Sequence, residues 1–240
     1  MWTSTLLKCP AQAPAIQLNP TRGETFNERL ELIMGRLLLV RHGETPWNAE
    51  GRLQGSIDIG LSEKGRRQAR MIGARLADTS IDVAYSSDQS RAHETAQHIL
   101  EGRSVGLNPI PDLRERAHGV FEGLTVRERK DRYPEMFADS LVKNLDFAPT
   151  GGETFRGTNR RMAGWAPGFL QDHLKQTVLV VGHGGSLRAA IIAWMGFSDE
   201  ATWRFILANC GLSIIDTYAD NAVLRLFNDI SHLDGLGPES

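Results

Sequence analysis

"LLLVRHGETPWN", residues 37–48, decides how the rest of the chain is read. With Arg36 in front of it, the apolar run to Val40 has the length and character of a strand buried on both faces. Arg41, His42 and Gly43 come directly after it. A buried strand that ends in a cation and an imidazole carries its chemistry at its carboxyl end, so the question is whether other elements of this chain end the same way.

Outward from this stretch the pattern alternates. "SEKGRRQARMIGARLAD" (62–78) predicts a helix, with Ser62 as N-cap and Ala69, Ile72 and Leu76 on one face. "IDVAYSS" (81–87) predicts a second strand and "SRAHETAQHIL" (90–100) a second helix. "LNPIPDL" (107–113) is extended, because its prolines restrict the backbone. "VRERKDRY" (126–133) and the region after Gly152 read as helices, with Pro167 set to kink or end the latter. "TVLVVGH" (177–183) is a buried strand and "GGSLRAAIIAWMG" (184–196) its helix. "GLSIIDTY" (211–218) and "AVLRLFND" (222–229) read as two closing strands around a turn. The fold class expected is α/β: three layers, α/β/α, with a mostly parallel sheet and an antiparallel edge strand. No internal repeat or low-complexity tract interrupts it.

Composition narrows the function classes. In 240 residues, 27 Lys plus Arg balance 29 Asp plus Glu, which speaks against a nucleic-acid surface or a polybasic membrane patch. No apolar run approaches the ~20 residues that span a bilayer. Only Cys9 and Cys210 are present, far apart, so the expected setting is a reducing cytoplasm without a disulfide framework. Residues 1–33, with three prolines and mixed polar residues, read as a flexible N-terminal extension and not a signal peptide. Met34, just before the first strand, offers an alternative start. Residues 34–230 are expected to form one domain and 231–240 a C-terminal tail.

In an open parallel sheet, ligands bind beyond the carboxyl ends of the strands. There the chain places Arg41 and His42 after the first strand. Ser86, Ser87 and then Arg91 come after the second. Glu115 and Arg116 come after the extended segment, and His183, Gly184 and Gly185 after "TVLVVG". Singly each is ordinary: a histidine at a strand end or an arginine opening a helix is most often structural or solvated. Together they converge on one edge, and the chemistry they suit is phosphoryl transfer. Arginine forks match phosphate oxygens, N–H groups at turn and helix starts add anion donors, and an imidazole whose other nitrogen is held by a carbonyl is a nucleophile at neutral pH. Gly43 would let the chain turn close to the phosphate. His93 and His98, five apart, do not form a metal pair on one helix face, and Asp58 and Glu44 read as structural. No metal or cofactor is expected.

The segments "LVRHGETPWN", "YSSDQSRAHETA", "LRERAHGVFEG" and "VVGHGGSLRA" resemble, in order and over about residues 36–228, those of the histidine phosphatase superfamily, also called the phosphoglycerate-mutase-like family. The resemblance implies that His42 is phosphorylated during turnover and that Arg41, Arg91 and His183 hold the phosphoryl oxygens. Asn48 and the Gly184 N–H would support them, Glu115 would be the general acid, and Gln54 and Gly55 would touch the rest of the substrate. Ser56 stands where relatives often have tryptophan. Arg116, a further substrate-binding candidate, occurs more in mutase-like relatives. His118 faces either the pocket or solvent. The expected activity is hydrolysis of a small phosphorylated metabolite. A phosphoglycerate mutase is the alternative, disfavoured by the compact 115–152 stretch. A phospholigand-binding protein without catalysis and a metal-dependent hydrolase are more distant alternatives. Substrate identity and oligomeric state are not legible.

Overall fold

The computed structural model describes residues 35–218 and 221–236. The expected extension 1–33, the start at Met34, Cys9 and residues 237–240 lie outside the described residues. Six strands form one sheet: β1 (Gly35–Arg41), β2 (Val83–Ser86), β3 (Leu107–Pro109), β4 (Thr177–Gly182), β5 (Leu212–Thr217) and β6 (Ala222–Asp229), in the order β3-β2-β4-β1-β5-β6. β1, β2, β3 and β4 pair in parallel. β5 runs antiparallel to β1 and β6 antiparallel to β5, so the reversed strand lies one place inside the edge.

The helices are α1 (Pro46–Ala49), α2 (Glu63–Arg75), α3 (Ser90–Ile99), α4 (Val126–Arg132), α5 (Pro134–Ser140), α6 (Phe155–Asp172) and α7 (Gly184–Trp194). Alternation along the strands sends side chains to both faces. Leu37, Leu39, Val178 and Val180 meet α6 and α7 through Met162, Phe169, Leu187 and Ile191. Leu38, Val40, Leu179 and Val181 meet α2 and α3 through Ala69, Ile72, Ala96 and Ile99. The result is the three-layer α/β/α arrangement.

Ser62 caps α2 by accepting from Gly65 N–H at 3.0 Å. The charge run of α4 is a solvated face: the Arg127 side chain is 92% exposed beside Asp131. Of the two effects expected of Pro167, a kink or an end, the end is not found: α6 continues through it to Asp172. Pro167 and Ala163, whose carbonyl loses its intrahelical donor, both lie on the exposed side, where water can serve that carbonyl. Met162, Ala166 and Phe169 hold the buried side in the core. In the stretch expected as a tail, Ser231–Leu233 form a 3-10 turn, with Arg75 Nη1 donating to Ser231 Oγ at 3.0 Å.

Candidate active site

Because β1 and β4 are parallel and in register, with Arg41 opposite Gly182, the next residue of each strand emerges at the same level. Those residues are His42 and His183. Their ring centroids lie 5.1 Å apart, and both side chains are buried. The antiparallel β5 contributes from the other side. The turn that leads into it places Cys210 N–H on the Arg41 carbonyl at 2.9 Å and Asn209 Nδ2 on the His42 carbonyl at 2.9 Å. The backbone that presents the first histidine is therefore gripped by two neighbouring strands.

The hydrogen bonds assign the tautomers. His42 Nδ1 donates to the Gly43 carbonyl at 2.7 Å, so Nε2 keeps its lone pair. His183 Nδ1 accepts from Arg91 Nε at 3.2 Å, so its proton is on Nε2. That Nε2–H and the Nε–H of Arg41 are buried donors with no hydrogen-bond partner among the described residues. Two buried N–H groups without acceptors are costly, and the oxygens of an anion within their reach would satisfy them. Arg41 Nη1 donates to the Leu207 carbonyl at 2.6 Å, which fixes the guanidinium.

Arg91 is fully buried and opens α3. Besides His183 it donates to the carbonyls of Ile57 and Gly55, both at 2.9 Å, and to Gln89 Oε1 at 3.1 Å. Its charge reaches the two histidines while most of its fork is engaged by protein. Glu115 lies just past the 3-10 turn after β3 and accepts from Gly185 N–H at 3.0 and 3.1 Å and from Arg116 N–H at 2.8 Å. A Cβ on Gly185 would lie 2.1 Å from Glu115 Oε1, so only glycine allows this approach. A Cβ on Gly184 would lie 3.7 Å from Arg41 Nε and 3.8 Å from Glu115 Oε2, which places both groups beside the start of α7. The first N–H groups of that helix have no intrahelical acceptors.

The remaining expected residues join this frame in different ways. Asn48 Oδ1 accepts from Thr45 N–H, Thr45 Oγ1 and Asn209 Nδ2. Gly55 offers its carbonyl to Gln89 and Arg91, and Gln54 is buried with its Oε1 unpartnered among the described residues. Arg116 donates to the Glu153 carbonyl at 2.9 Å and to His118 Nδ1 at 3.1 Å. A cavity of about 310 Å³ opens next to these groups, lined among others by Arg41, Glu115, Arg116, His118 and Gly184; His118 thus faces the pocket. His42, His183, Gln54 and Gly55 are not part of its lining. Gly43 serves packing: a Cβ there would lie 2.5 Å from the Gly65 carbonyl oxygen of α2. Asp58 accepts from Ser90 at the start of α3, and Glu44 pairs with Lys64 at 2.7 Å. No group of three His, Cys, Asp or Glu side chains suited to hold a metal occurs among the described residues.

Burial and the neighbouring Arg41 and Arg91 charges push His42 well below the usual histidine range, and burial with Arg91, His42 and Arg41 does the same to His183. Burial beside Arg116 lowers His118 to about 4. Burial alone would raise the Glu115 carboxyl. The neighbouring His118, the Gly185 and Arg116 N–H groups and Arg91 outweigh it and hold Glu115 below the usual carboxylate range. Three histidines that stay neutral when folded, but take protons near 6.5 when unfolded, make the unfolded chain the better proton binder below about pH 6.5. Stability therefore falls as pH drops from there toward about 4. Urea midpoints at pH 7.5, 6 and 5 are expected to decline in that order, and a flat series contradicts the buried neutral histidines.

The chain's "RHG" and "GHGG" ends, so joined, match a known family. The model of the histidine phosphatase superfamily (branch 1) fits residues 37–230. The chain belongs to the histidine phosphatase superfamily. It is 33% identical over 200 residues to phosphoserine phosphatase 1 of Hydrogenobacter thermophilus, covering 83% of this chain and 95% of that one. It is 35% identical over 195 residues to a 2,3-bisphosphoglycerate-dependent phosphoglycerate mutase of Bartonella henselae, covering 78% and 94%. Among solved structures, YhfR of Bacillus stearothermophilus superposes with a TM-score of 0.77 at 32% identity, covering 83% of this chain and all of that one.

Sequence reasoning missed the buried amide of Gln89, which joins segments of this superfamily site. Its Oε1 accepts from Glu115 N–H at 3.0 Å and from Arg91, and its Nε2 donates to the Gly55 carbonyl at 3.0 Å. Gln89→Leu leaves both donors without this acceptor. The expected cost is about 2–4 kcal/mol, from two buried donors, one of them charged. Urea denaturation of the variant checks it, and a loss below about 0.5 kcal/mol contradicts the hub.

Proposed function

We propose that this chain is a phosphomonoester hydrolase that works through a phosphohistidine on His42, with Glu115 as general acid and base, and that its substrate is a small phosphorylated metabolite. One observation carries the reading: the Nδ1–H of His42 is held by the Gly43 carbonyl, leaving the Nε2 lone pair in a site where Arg41 Nε–H and His183 Nε2–H are buried without acceptors among the described residues.

His42 Nε2 attacks phosphorus and the ester P–O bond breaks. Arg41, Arg91 and His183 stabilise the charge on the transferring oxygens, with Asn48 and the Gly184 N–H in support. The leaving oxygen takes a proton from Glu115. Free Glu115 is ionised, so this proton arrives with the substrate: a bound phosphate dianion raises a neighbouring carboxyl. Water then gives a proton to Glu115 and attacks phosphorus, the N–P bond breaks, and phosphate leaves with His42 regenerated. Arg116, in the cavity lining, stands on the leaving-group side, and Gln54 and Gly55 are the further substrate contacts that the family resemblance implies. No step is routed through a metal or cofactor.

Hydrolysis is favoured over mutase chemistry because none of residues 119–152 lines the cavity and the α4 charge run is exposed. A dedicated mutase must keep water from the phosphohistidine, and that stretch contributes no side chain to the cavity beside Glu115. The relative named as a phosphoserine phosphatase points the same way, and the one named as a mutase sets the alternative. A reducing compartment, the cytoplasm, fits the buried free thiol of Cys210. Phosphate release from a panel of phosphomonoesters, with and without chelator, tests the reading, with 3-phosphoglycerate assayed in parallel for isomerisation. Phosphate should exceed 2-phosphoglycerate and be indifferent to chelator; an excess of 2-phosphoglycerate overturns the hydrolase assignment.

A further inference from the structure

The lining of the cavity beside Glu115 combines three cations, Arg41, Arg116 and Arg188, with the apolar side chains of Phe155, Trp203 and Ile206. Phe155 and Trp203 meet edge to face at 4.5 Å, and the Arg116 guanidinium lies 3.9 Å over the Phe155 ring. Arg188 stands outside the phosphoryl-transfer machinery. It sits on α7 four residues after Gly184, so the two share a helix face directed at the cavity.

The three cations differ in what they already hold. Arg41 is tied to the Leu207 carbonyl, and its Nε–H, unpartnered among the described residues, lies beside Gly184 at the proposed phosphoryl position. Arg116 donates to Glu153 and His118. Arg188 is half-buried and makes no hydrogen bond or ion pair among the described residues; its nearest aromatic partner, Phe155, is 5.9 Å away. A guanidinium partly withdrawn from water is poorly satisfied unless an acceptor meets it. The one carboxylate in the lining, Glu115, is engaged by the Gly185 and Arg116 N–H groups. Cationic charge in the lining therefore exceeds what a phosphoryl group at Arg41 uses. The surplus is a single planar fork, which matches a planar monoanion.

We propose that Arg188 is the recognition site for a carboxylate on the leaving group of the substrate, whose carbon skeleton lies against the Phe155–Trp203 pair. This rests on the phosphomonoesterase reading and narrows its substrate class to phosphorylated small carboxylic acids. Arg188 is a specificity-determining residue and takes no part in the transfer itself.

The test uses binding and needs no turnover, so its outcome is separable from that of the hydrolase reading. The probes are the non-hydrolysable phosphonate analogue of O-phosphoserine and the same phosphonate lacking its carboxylate, titrated calorimetrically into the full chain and into Arg188→Gln and Arg188→Lys. The wild type is expected to bind the carboxylate-bearing phosphonate at least about tenfold more tightly, the low end for a charge-assisted pair. Arg188→Gln is expected to shrink that ratio to within about twofold, and Arg188→Lys to restore part of it. Equal weakening of both phosphonates would assign Arg188 to the phosphoryl group and overturn the proposal. So would a wild type that does not discriminate, or one that binds neither probe.

Discussion

Replacing His42 by alanine is expected to lower turnover of any phosphomonoester by at least about 10³-fold, on the order seen when a covalent nucleophile is removed. The size of the effect comes from position. His42 stands at the end of β1, its Nδ1–H is fixed on Gly43 and its carbonyl is held by Asn209. No other described histidine combines a free Nε2 lone pair with this anion site: His183 is held in the opposite tautomer by Arg91. Loss of a buried imidazole also leaves a small cavity, so phosphate-release assays belong beside a urea melt that shows the variant folded. A folded His42→Ala protein with more than a few per cent of normal turnover contradicts the nucleophile.

Glu115→Gln is expected to cost about 10²–10⁴-fold on alkyl phosphates, the range for a general acid. An aryl phosphate, whose leaving group needs no proton, should lose far less in the first step. The pH dependence has a definite sign. Glu115 is held below the usual carboxylate range in the free protein, so near neutrality the reactive complex obtains its proton from the substrate side. A phosphomonoester's second ionisation lies near 6, and kcat/KM should therefore fall as pH rises through about 6 to 7. Glu115→Gln should flatten that fall. No acidic loss is expected near 6, because His42 stays neutral well below 6.5. Equal losses on alkyl and aryl esters with an unchanged profile would remove Glu115 from its proposed role.

Much of this arrangement is legible in the sequence because local patterns carry it. The apolar runs at 37–40 and 178–181 mark strands covered on both sides, and a parallel sheet then brings the residues just past their carboxyl ends to one edge. That logic finds His42, His183, Arg41 and Glu115. The features it misses depend on contacts between distant segments. Gln89 reads as an ordinary residue before a helix; its importance comes from meeting Gly55 and Glu115. Gly43 answers to Gly65, which no local pattern reveals. Pro167 reads as a kink or an end, and the sequence does not decide between these and an uninterrupted helix, because a proline's effect depends on which side of the helix faces water. Arg188 does leave a signal: a charged residue inside the apolar stretch "LRAAIIAW" on a buried helix requires an acceptor.

The most direct test of the central claim is the trapping of the intermediate. A substrate labelled in its phosphoryl group is mixed with the protein, quenched in alkali within the first turnovers, and the protein digested and mapped by mass spectrometry. The account predicts an alkali-stable, acid-labile phosphate on His42, absent in His42→Ala. Label on another residue, or full turnover with no labelled protein under any quench time, would contradict it.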